Sequence, residues 1–354
     1  MPVLPIAQVQ SGDRLGREVQ TGLGNLLFPE GRALTPRDLE ILQAFLIPSV
    51  DIRRSGMSEA DASETEEEPE TVSVNTPLQQ AFVKMEKLMK AAFHMMSPGQ
   101  KLPILDIRNG LKDLLDCIAD YHALTFVPPL EGATEPWIRN SILTAFTSYQ
   151  LARWIKMPDK DWIPVALAGL LHDIGNTRVD PAIFRKPTRL TPEEQNEMRQ
   201  HTVYGFKMLE GVASLNQGVS LAALQHHERI DGSGYPMRVT GDKIHPYARI
   251  VAVADVYHAM TSNRTHRKAQ SPYLVLEELQ AEAFGKLDPM MVQTFIEKTT
   301  QFHNGMLVQL NDNRVGEVVF TDRQHPTRPM VSIFGEIVNL AKTRDLHICA
   351  VYSP

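Results

Sequence analysis

Metal-binding side chains stand in this chain where a helical core should be apolar. The run Val165-Ala166-Leu167-Ala168-Gly169-Leu170-Leu171 is hydrophobic all round a helix and belongs at the centre of a fold, yet it delivers His172-Asp173. Asp255 interrupts Ile250-Val251-Ala252-Val253-Ala254, and His226-His227 stand just ahead of the loop Asp231-Gly232-Ser233-Gly234-Tyr235-Pro236. Any one such histidine reads as a satisfied core residue. The set, completed by His201, does not, because a buried carboxylate or imidazole without a partner is costly. A fold that draws these segments together around cations removes the cost at every position. Imidazole and carboxylate donors without a thiolate suit Fe, Mn, Zn or Co. Six donors can hold two divalent ions side by side, an arrangement that clamps the attacking and leaving oxygens of a phosphate ester.

The surrounding pattern is helical from 76 to 302. Leu78, Phe82, Met85, Met89 and Phe93 recur at three- and four-residue steps, as do Ile104, Ile107, Leu111, Leu114 and Ile118. Helices are predicted from about 136 to 155 and from 161 to 173, with Gly175 closing the second as a left-handed cap. A capping box at Thr191-Pro192-Glu193-Glu194 opens the helix that carries His201. Another helix ends at His226-His227, a further one spans 247–261 with Asp255, and Ser271-Pro272 and Asp288-Pro289 each open one more.

Residues 1–54 read as a β-rich module with strands at 15–21, 25–28 and 49–53 and a helix opened by Thr35-Pro36. Residues 55–75 form an acidic linker, 76–302 the helical domain and 303–354 a C-terminal β extension. In the extension, strands are predicted at 306–310, 315–320, 330–334 and 347–352, with a turn at Asn311-Asp312-Asn313. The fold class expected is mainly α, with small β-rich modules at both termini.

Net charge is −6, but Glu59, Asp61, Glu64, Glu66, Glu67, Glu68 and Glu70 fall in a stretch free of Lys and Arg. Such a run reads as solvated linker, and without it the chain is close to neutral. No nucleic-acid polymer is therefore expected as partner. The two cysteines, Cys117 and Cys349, have no metal-type spacing and fit a reducing cytoplasm. The first residues lack the basic and apolar regions of a secretory signal. No run reaches the roughly 18 apolar residues of a membrane span.

The loop glycines Gly232 and Gly234 permit positive φ and close backbone approach, leaving Tyr235 to stack or hydrogen-bond. Arg264 and Arg267 follow Asp255 by nine and twelve residues, and helical continuation would keep them on its side of the fold as phosphate ligands. Glu193, Glu194, Glu228 and Arg229 read as capping or surface charges.

Three segments, "LLHDIG", "HHERIDGSGYP" and "ARIVAVADVYHAMTSNR", resemble the HD-GYP family, a branch of the HD phosphohydrolases, over roughly residues 136–300. The resemblance implies an HD-type helical bundle and a metal-dependent phosphodiesterase that hydrolyses cyclic di-GMP to pGpG or GMP in bacterial second-messenger signalling. It implies metal ligands at His172, Asp173, His201, His226, His227 and Asp255, with Asp173 catalytic as the bridge between two ions, Fe or Mn. It implies substrate contacts at Gly234, Tyr235, Pro236, Arg264 and Arg267, the two arginines also serving catalysis. Other signalling proteins and a homodimer are left open as partners.

The chain departs from the family at Pro136, Asn140, Asn176 and His258. Pro136 stands where trinuclear members carry a glutamate, and Asn140 where a histidine ligand is usual. A binuclear centre is then implied, with one site weak or empty. Asn176 and His258 replace a lysine and an aspartate that often pair in the family, and His258 is itself a candidate ligand or acid. The alternative these departures favour is a degenerate member that acts as a nucleotide sensor or protein-interaction adaptor without turnover.

Overall fold

The computed structural model describes residues 3–6, 9–20, 26–45, 47, 49–53, 76–94, 102–129, 136–186, 188–262 and 270–352. The acidic linker, Arg264 and Arg267 lie outside the described residues. The chain divides into two compact units, residues 1–70 with 300–354 and residues 71–299.

The first unit joins both ends of the chain. Its N-terminal part holds β1 (Val3–Pro5), β2 (Arg14–Leu15), β3 (Val19–Gln20), β4 (Leu26–Phe28), α1 (Pro36–Ala44) and β5 (Ser49–Arg53). Helix α1 starts where a capping box can form, with Thr35 and Asp38 each accepting from the other's backbone N–H. Strands β1 and β2 flank β5 in an antiparallel sheet, and β3 pairs with β4.

The helical unit holds α2 (Pro77–His94), α3 (Ile104–Asp116), α4 (Pro136–Trp154), α5 (Asp159–Leu171), α6 (Pro181–Arg185), α7 (Pro192–Arg199), α8 (His201–Leu209), α9 (Gln217–Gln225), α10 (Pro246–Thr261), α11 (Pro272–Glu282) and α12 (Pro289–Thr299). Helix α5 lies at its centre and is buried from Val165 to Leu171. Helix α4 packs on it closely because residue 169 is glycine. A Cβ there would come within 2.9 Å of Ser148 Oγ and of the Thr144 carbonyl oxygen. Helices α9 and α10 complete the surround, with Val219, Ala222, Ala223, Ile250, Val251 and Tyr257 in one core with Leu167 and Leu170.

The chain then returns to the first unit as a meander, β6 (Leu307–Leu310), β7 (Val315–Phe320), β8 (Met330–Ile333), β9 (Glu336–Asn339) and β10 (Ile348–Tyr352), ordered β10-β6-β7-β8-β9. Leu307 and Val315 share a core with Leu15, Leu27, Leu34, Ile41 and Ile52. At the Asn311-Asp312-Asn313 turn, Asn313 takes φ 68° and Asp312 accepts from the Arg314 N–H.

The molecule is mainly α with small β sheets formed from both ends of the chain, the fold class the pattern implied. Two local readings need correction. Gly175 is not a left-handed cap. Helix α5 stops at Leu171, a short 3-10 turn spans Ile174–Arg178, and Gly175 lies against the His201 carbonyl where a Cβ would collide. The single helix expected to carry His201 is two, α7 and α8, broken at Gln200, whose N–H bonds back to the Glu197 carbonyl.

Candidate metal centre

Four helix ends or faces deliver the polar side chains, and in three the backbone fixes the tautomer. His172, just past α5, donates its Nδ1 proton to the Gly169 carbonyl at 2.7 Å. His201, the first residue of α8, donates Nδ1 to the Met198 carbonyl at 2.6 Å. His226, just past α9, directs Nδ1 at the Ala222 and Ala223 carbonyls, 3.1 Å from each. A carbonyl only accepts, so each Nδ1 carries the proton and each Nε2 lone pair is free to ligate.

Those Nε2 atoms converge on Asp173. Its Oδ1 is 3.3 Å from His201 Nε2 and 3.6 Å from His226 Nε2, while its Oδ2 is 3.4 Å from His172 Nε2. Asp255, from α10, places Oδ1 3.5 Å from His172 Nε2. Two donor groups result, Asp173-His201-His226-His227 and His172-Asp173-Asp255, each with ligand atoms within 4.8 Å of one another. Asp173 belongs to both.

This geometry is unfavourable without a cation. His201 Nε2 and His226 Nε2 face each other at 3.3 Å with both ring protons committed elsewhere, so two lone pairs oppose. His172 Nε2 is buried without a hydrogen-bond partner. Burial opposes protonation of His172, but the Asp173 and Asp255 carboxylates outweigh it and hold its pKa well above the ordinary value. Burial would raise Asp173 and Asp255, yet the imidazoles, His172 foremost, hold both below the usual carboxylate range. Burial pushes His201 down, and it pushes His227 well down with the neighbouring His226 and His201 adding to the effect. His201 and His227 are thereby held neutral and Asp173 and Asp255 ionised, as a divalent cation requires of its ligands, while His172 would give up a proton to an incoming cation; the cluster can hold one.

Asn140, on α4, reaches the same cluster. Its Nδ2 donates to Asp255 Oδ1 at 2.8 Å, and its Oδ1 is buried with no hydrogen-bond partner. Asn176 is also buried with an unpartnered Oδ1. His258 stands apart. Its Nε2 meets Thr147 Oγ1 at 2.7 Å and the Tyr121 hydroxyl at 3.3 Å, so it is no ligand of this cluster.

The glycine loop closes one side. Gly232 takes φ +80°, and a Cβ on Gly234 would collide with the Arg229 backbone N–H. The Tyr235 N–H bonds to the His227 carbonyl at 3.2 Å, and the Tyr235 ring stacks on the His227 ring at 4.6 Å. Pro236 follows, only partly exposed. Glu228 is not the surface charge the sequence suggested. It is buried and accepts from the N–H groups of Met237, Arg238 and Val239 at 2.6, 3.1 and 3.2 Å, tying down the end of the loop. Its place directly after the His226-His227 pair was the signal the sequence offered.

Residues 130–291 match the HD domain family. That span contains His172-Asp173 and Gly234-Tyr235-Pro236, the segments that resemble the HD-GYP branch in sequence. Among curated relatives it is 30% identical over 271 residues to a cyclic di-GMP phosphodiesterase of Pseudomonas aeruginosa, covering 75% of this chain and 65% of that one. It is 38% identical over 140 residues to a cyclic di-GMP phosphodiesterase response regulator of Xanthomonas campestris, covering 39% of this chain and 36% of the relative. A 3'3'-cGAMP-specific phosphodiesterase of Vibrio cholerae is 35% identical over 136 residues, 38% of this chain and 26% of that protein. The chain thus spans less than two thirds of the length of each.

Proposed function

We propose that the chain is a divalent-metal-dependent phosphodiesterase that opens a cyclic dinucleotide, cyclic di-GMP first among the candidates. The observation that carries the reading is the Asp173 carboxylate, whose two oxygens face two different donor groups. That carboxylate could serve two ions at once, with His201, His226 and His227 available to hold one and His172 and Asp255 the other. Fe or Mn suits such nitrogen and oxygen donors. When bound, the ions supply Lewis-acid polarisation of the phosphoryl oxygens and of the attacking water. Asp173 and Asp255 keep the ligand set anionic, and the backbone carbonyls behind His172, His201 and His226 hold their rings in place. Tyr235 and its loop form a wall beside the cluster, and Arg264 and Arg267 are assigned to the substrate phosphate from their sequence positions. Water adds across one P–O bond, giving the linear dinucleotide pGpG, and a second hydrolysis gives GMP.

The relatives named above are phosphodiesterases, which favours turnover over a binding-only role. No helix among the described residues is long and apolar enough to cross a membrane. The test is metal content and cyclic di-GMP turnover of the anaerobically purified protein, with Mn or Fe added, against His172→Ala and Asp173→Ala. Product release in the parent and its loss in both variants is expected. Equal rates in parent and variants would remove the proposal.

A further inference from the structure

Several arginines in the helical unit are held by carboxylates or carbonyls. Arg139 meets Glu86 at 2.8 Å, Arg249 meets Asp288 at 3.4 Å, and Arg229, beside the glycine loop, donates to the His226 and Glu228 carbonyls. Arg199 is different. It is the last residue of α7 and is exposed, two residues ahead of His201. Among the described residues its guanidinium has neither a carboxylate within ion-pair reach nor a hydrogen-bond acceptor. It lies instead over the Tyr235 ring, 5.1 Å from the centroid. Tyr235 in turn stacks on His227 at 4.6 Å and 26° between planes, and its hydroxyl has no hydrogen-bond partner among the described residues. A stack of three, imidazole, phenol and guanidinium, therefore runs from the metal cluster outward, with uncompensated positive charge at its outer end and a free O–H donor on its middle ring.

We propose that Arg199 and Tyr235 receive the second, uncleaved phosphodiester of a cyclic dinucleotide, an assignment that rests on the phosphodiesterase reading above. A cyclic dinucleotide carries two phosphates on one ring. When one lies against the metal cluster, the other projects a short distance away with its negative charge unmatched. The planar guanidinium fork fits phosphate oxygens in a bidentate manner, and stacking on Tyr235 orients the fork before substrate arrives. A substrate with a single phosphodiester cannot use this contact.

The experiment compares the Mn-loaded parent with Arg199→Ala and Arg199→Lys on cyclic di-GMP, 3'3'-cGAMP, cyclic di-AMP and bis(p-nitrophenyl) phosphate, which has one phosphodiester and no base. For Arg199→Ala, kcat/KM on each cyclic dinucleotide relative to bis(p-nitrophenyl) phosphate should fall about tenfold, and Arg199→Lys should recover part of the loss. The dissociation constant for each cyclic dinucleotide, measured by equilibrium dialysis, should weaken by a similar factor in Arg199→Ala. An unchanged ratio in a parent that turns over cyclic dinucleotides overturns the assignment and leaves the phosphodiesterase reading standing. A loss confined to guanine-containing substrates overturns it too, because Arg199 would then be reading a base. If the parent binds cyclic dinucleotides without hydrolysing them, equal dissociation constants in parent and variant overturn the assignment. A parent that neither binds nor hydrolyses any of the three removes both proposals together.

Discussion

The two sides of the cluster are built from different chemistry. On one side His201 and His226 present their imidazoles to one oxygen of Asp173, and His227 completes that donor group. On the other, His172 is the only imidazole among the described residues, and Asp255, the second oxygen of Asp173 and the neighbouring Asn140 amide make up the rest. The imidazole-rich side comes from adjacent helix ends and is braced by the glycine loop. The oxygen-rich side depends on a residue of α10 whose carboxylate already accepts a hydrogen bond from α4. Nitrogen-rich sites hold borderline divalent metals such as Fe, Co and Zn more tightly than oxygen-rich ones, which admit harder cations such as Mn and Mg. The first side should therefore retain metal through purification and the second should exchange.

Asp173→Ala should erase the contrast, because that carboxylate serves both sides. Metal content should fall for both, and turnover should drop by more than about a hundredfold, beyond what loss of an outer-shell partner costs. Retention of one full equivalent of metal would show that the bridge is dispensable to the imidazole-rich side. Glu228→Ala should weaken that side alone. Three backbone N–H groups lose their acceptor, at about 1 to 3 kcal/mol for each that stays buried and unsatisfied. Thermal unfolding should move down, and metal release from the imidazole-rich side should quicken while the oxygen-rich side keeps its affinity. Equal weakening of both sides would mean that Glu228 supports the unit as a whole.

Asn140→His should narrow the contrast from the other direction. Asn140 now gives a hydrogen bond to Asp255 and leaves one buried oxygen unpaired. An imidazole there would add a nitrogen donor to the oxygen-rich side and raise the affinity for the second equivalent of metal by about tenfold, seen in a metal titration. Affinity unchanged by the substitution would show that residue 140 is turned away from the ion.

The oxygen-rich side was the more legible of the two. His172, Asp173 and Asp255 stand out as polar residues in apolar surroundings, and the cost of leaving them unpaired predicts a partner where they meet, whereas His201 follows a polar stretch and gives no such signal alone. The role of Asn140 is a matter of direction, since only the structure shows an amide N–H aimed at Asp255. The helical unit was readable from its three- and four-residue periodicity, whereas β1 and β9 were missed. Strand β9 follows the turn Phe334-Gly335, with φ 51° and 88°, and a phenylalanine gives no warning of a left-handed position. The union of the two chain ends in one core, Leu307 and Val315 with Leu15 and Ile52, is a long-range pairing that periodicity does not report.

His258 supplies the smallest test and the sharpest control, because it lies on α10 one turn beyond Asp255 yet is excluded from the cluster. Thr147 and Tyr121 enclose its ring, and burial pushes its pKa down to about 3. Folded protein therefore keeps His258 neutral at pH values where the unfolded chain protonates it, near 6.5 and below. The unfolded state then binds more protons, so stability should fall as pH drops from about 6.5 towards about 3 and be flat in this respect above 6.5. One such group contributes at most about 1.4 kcal/mol per pH unit in that window. Urea unfolding of metal-free parent and His258→Gln at pH 7 and pH 5 isolates the effect, since His201 and His227 contribute equally to both proteins. The variant should lose less stability between the two pH values. Identical losses would mean that His258 takes up its proton in the folded state, and the contrast between an imidazole held for a metal and one sealed among hydroxyls would fail on α10.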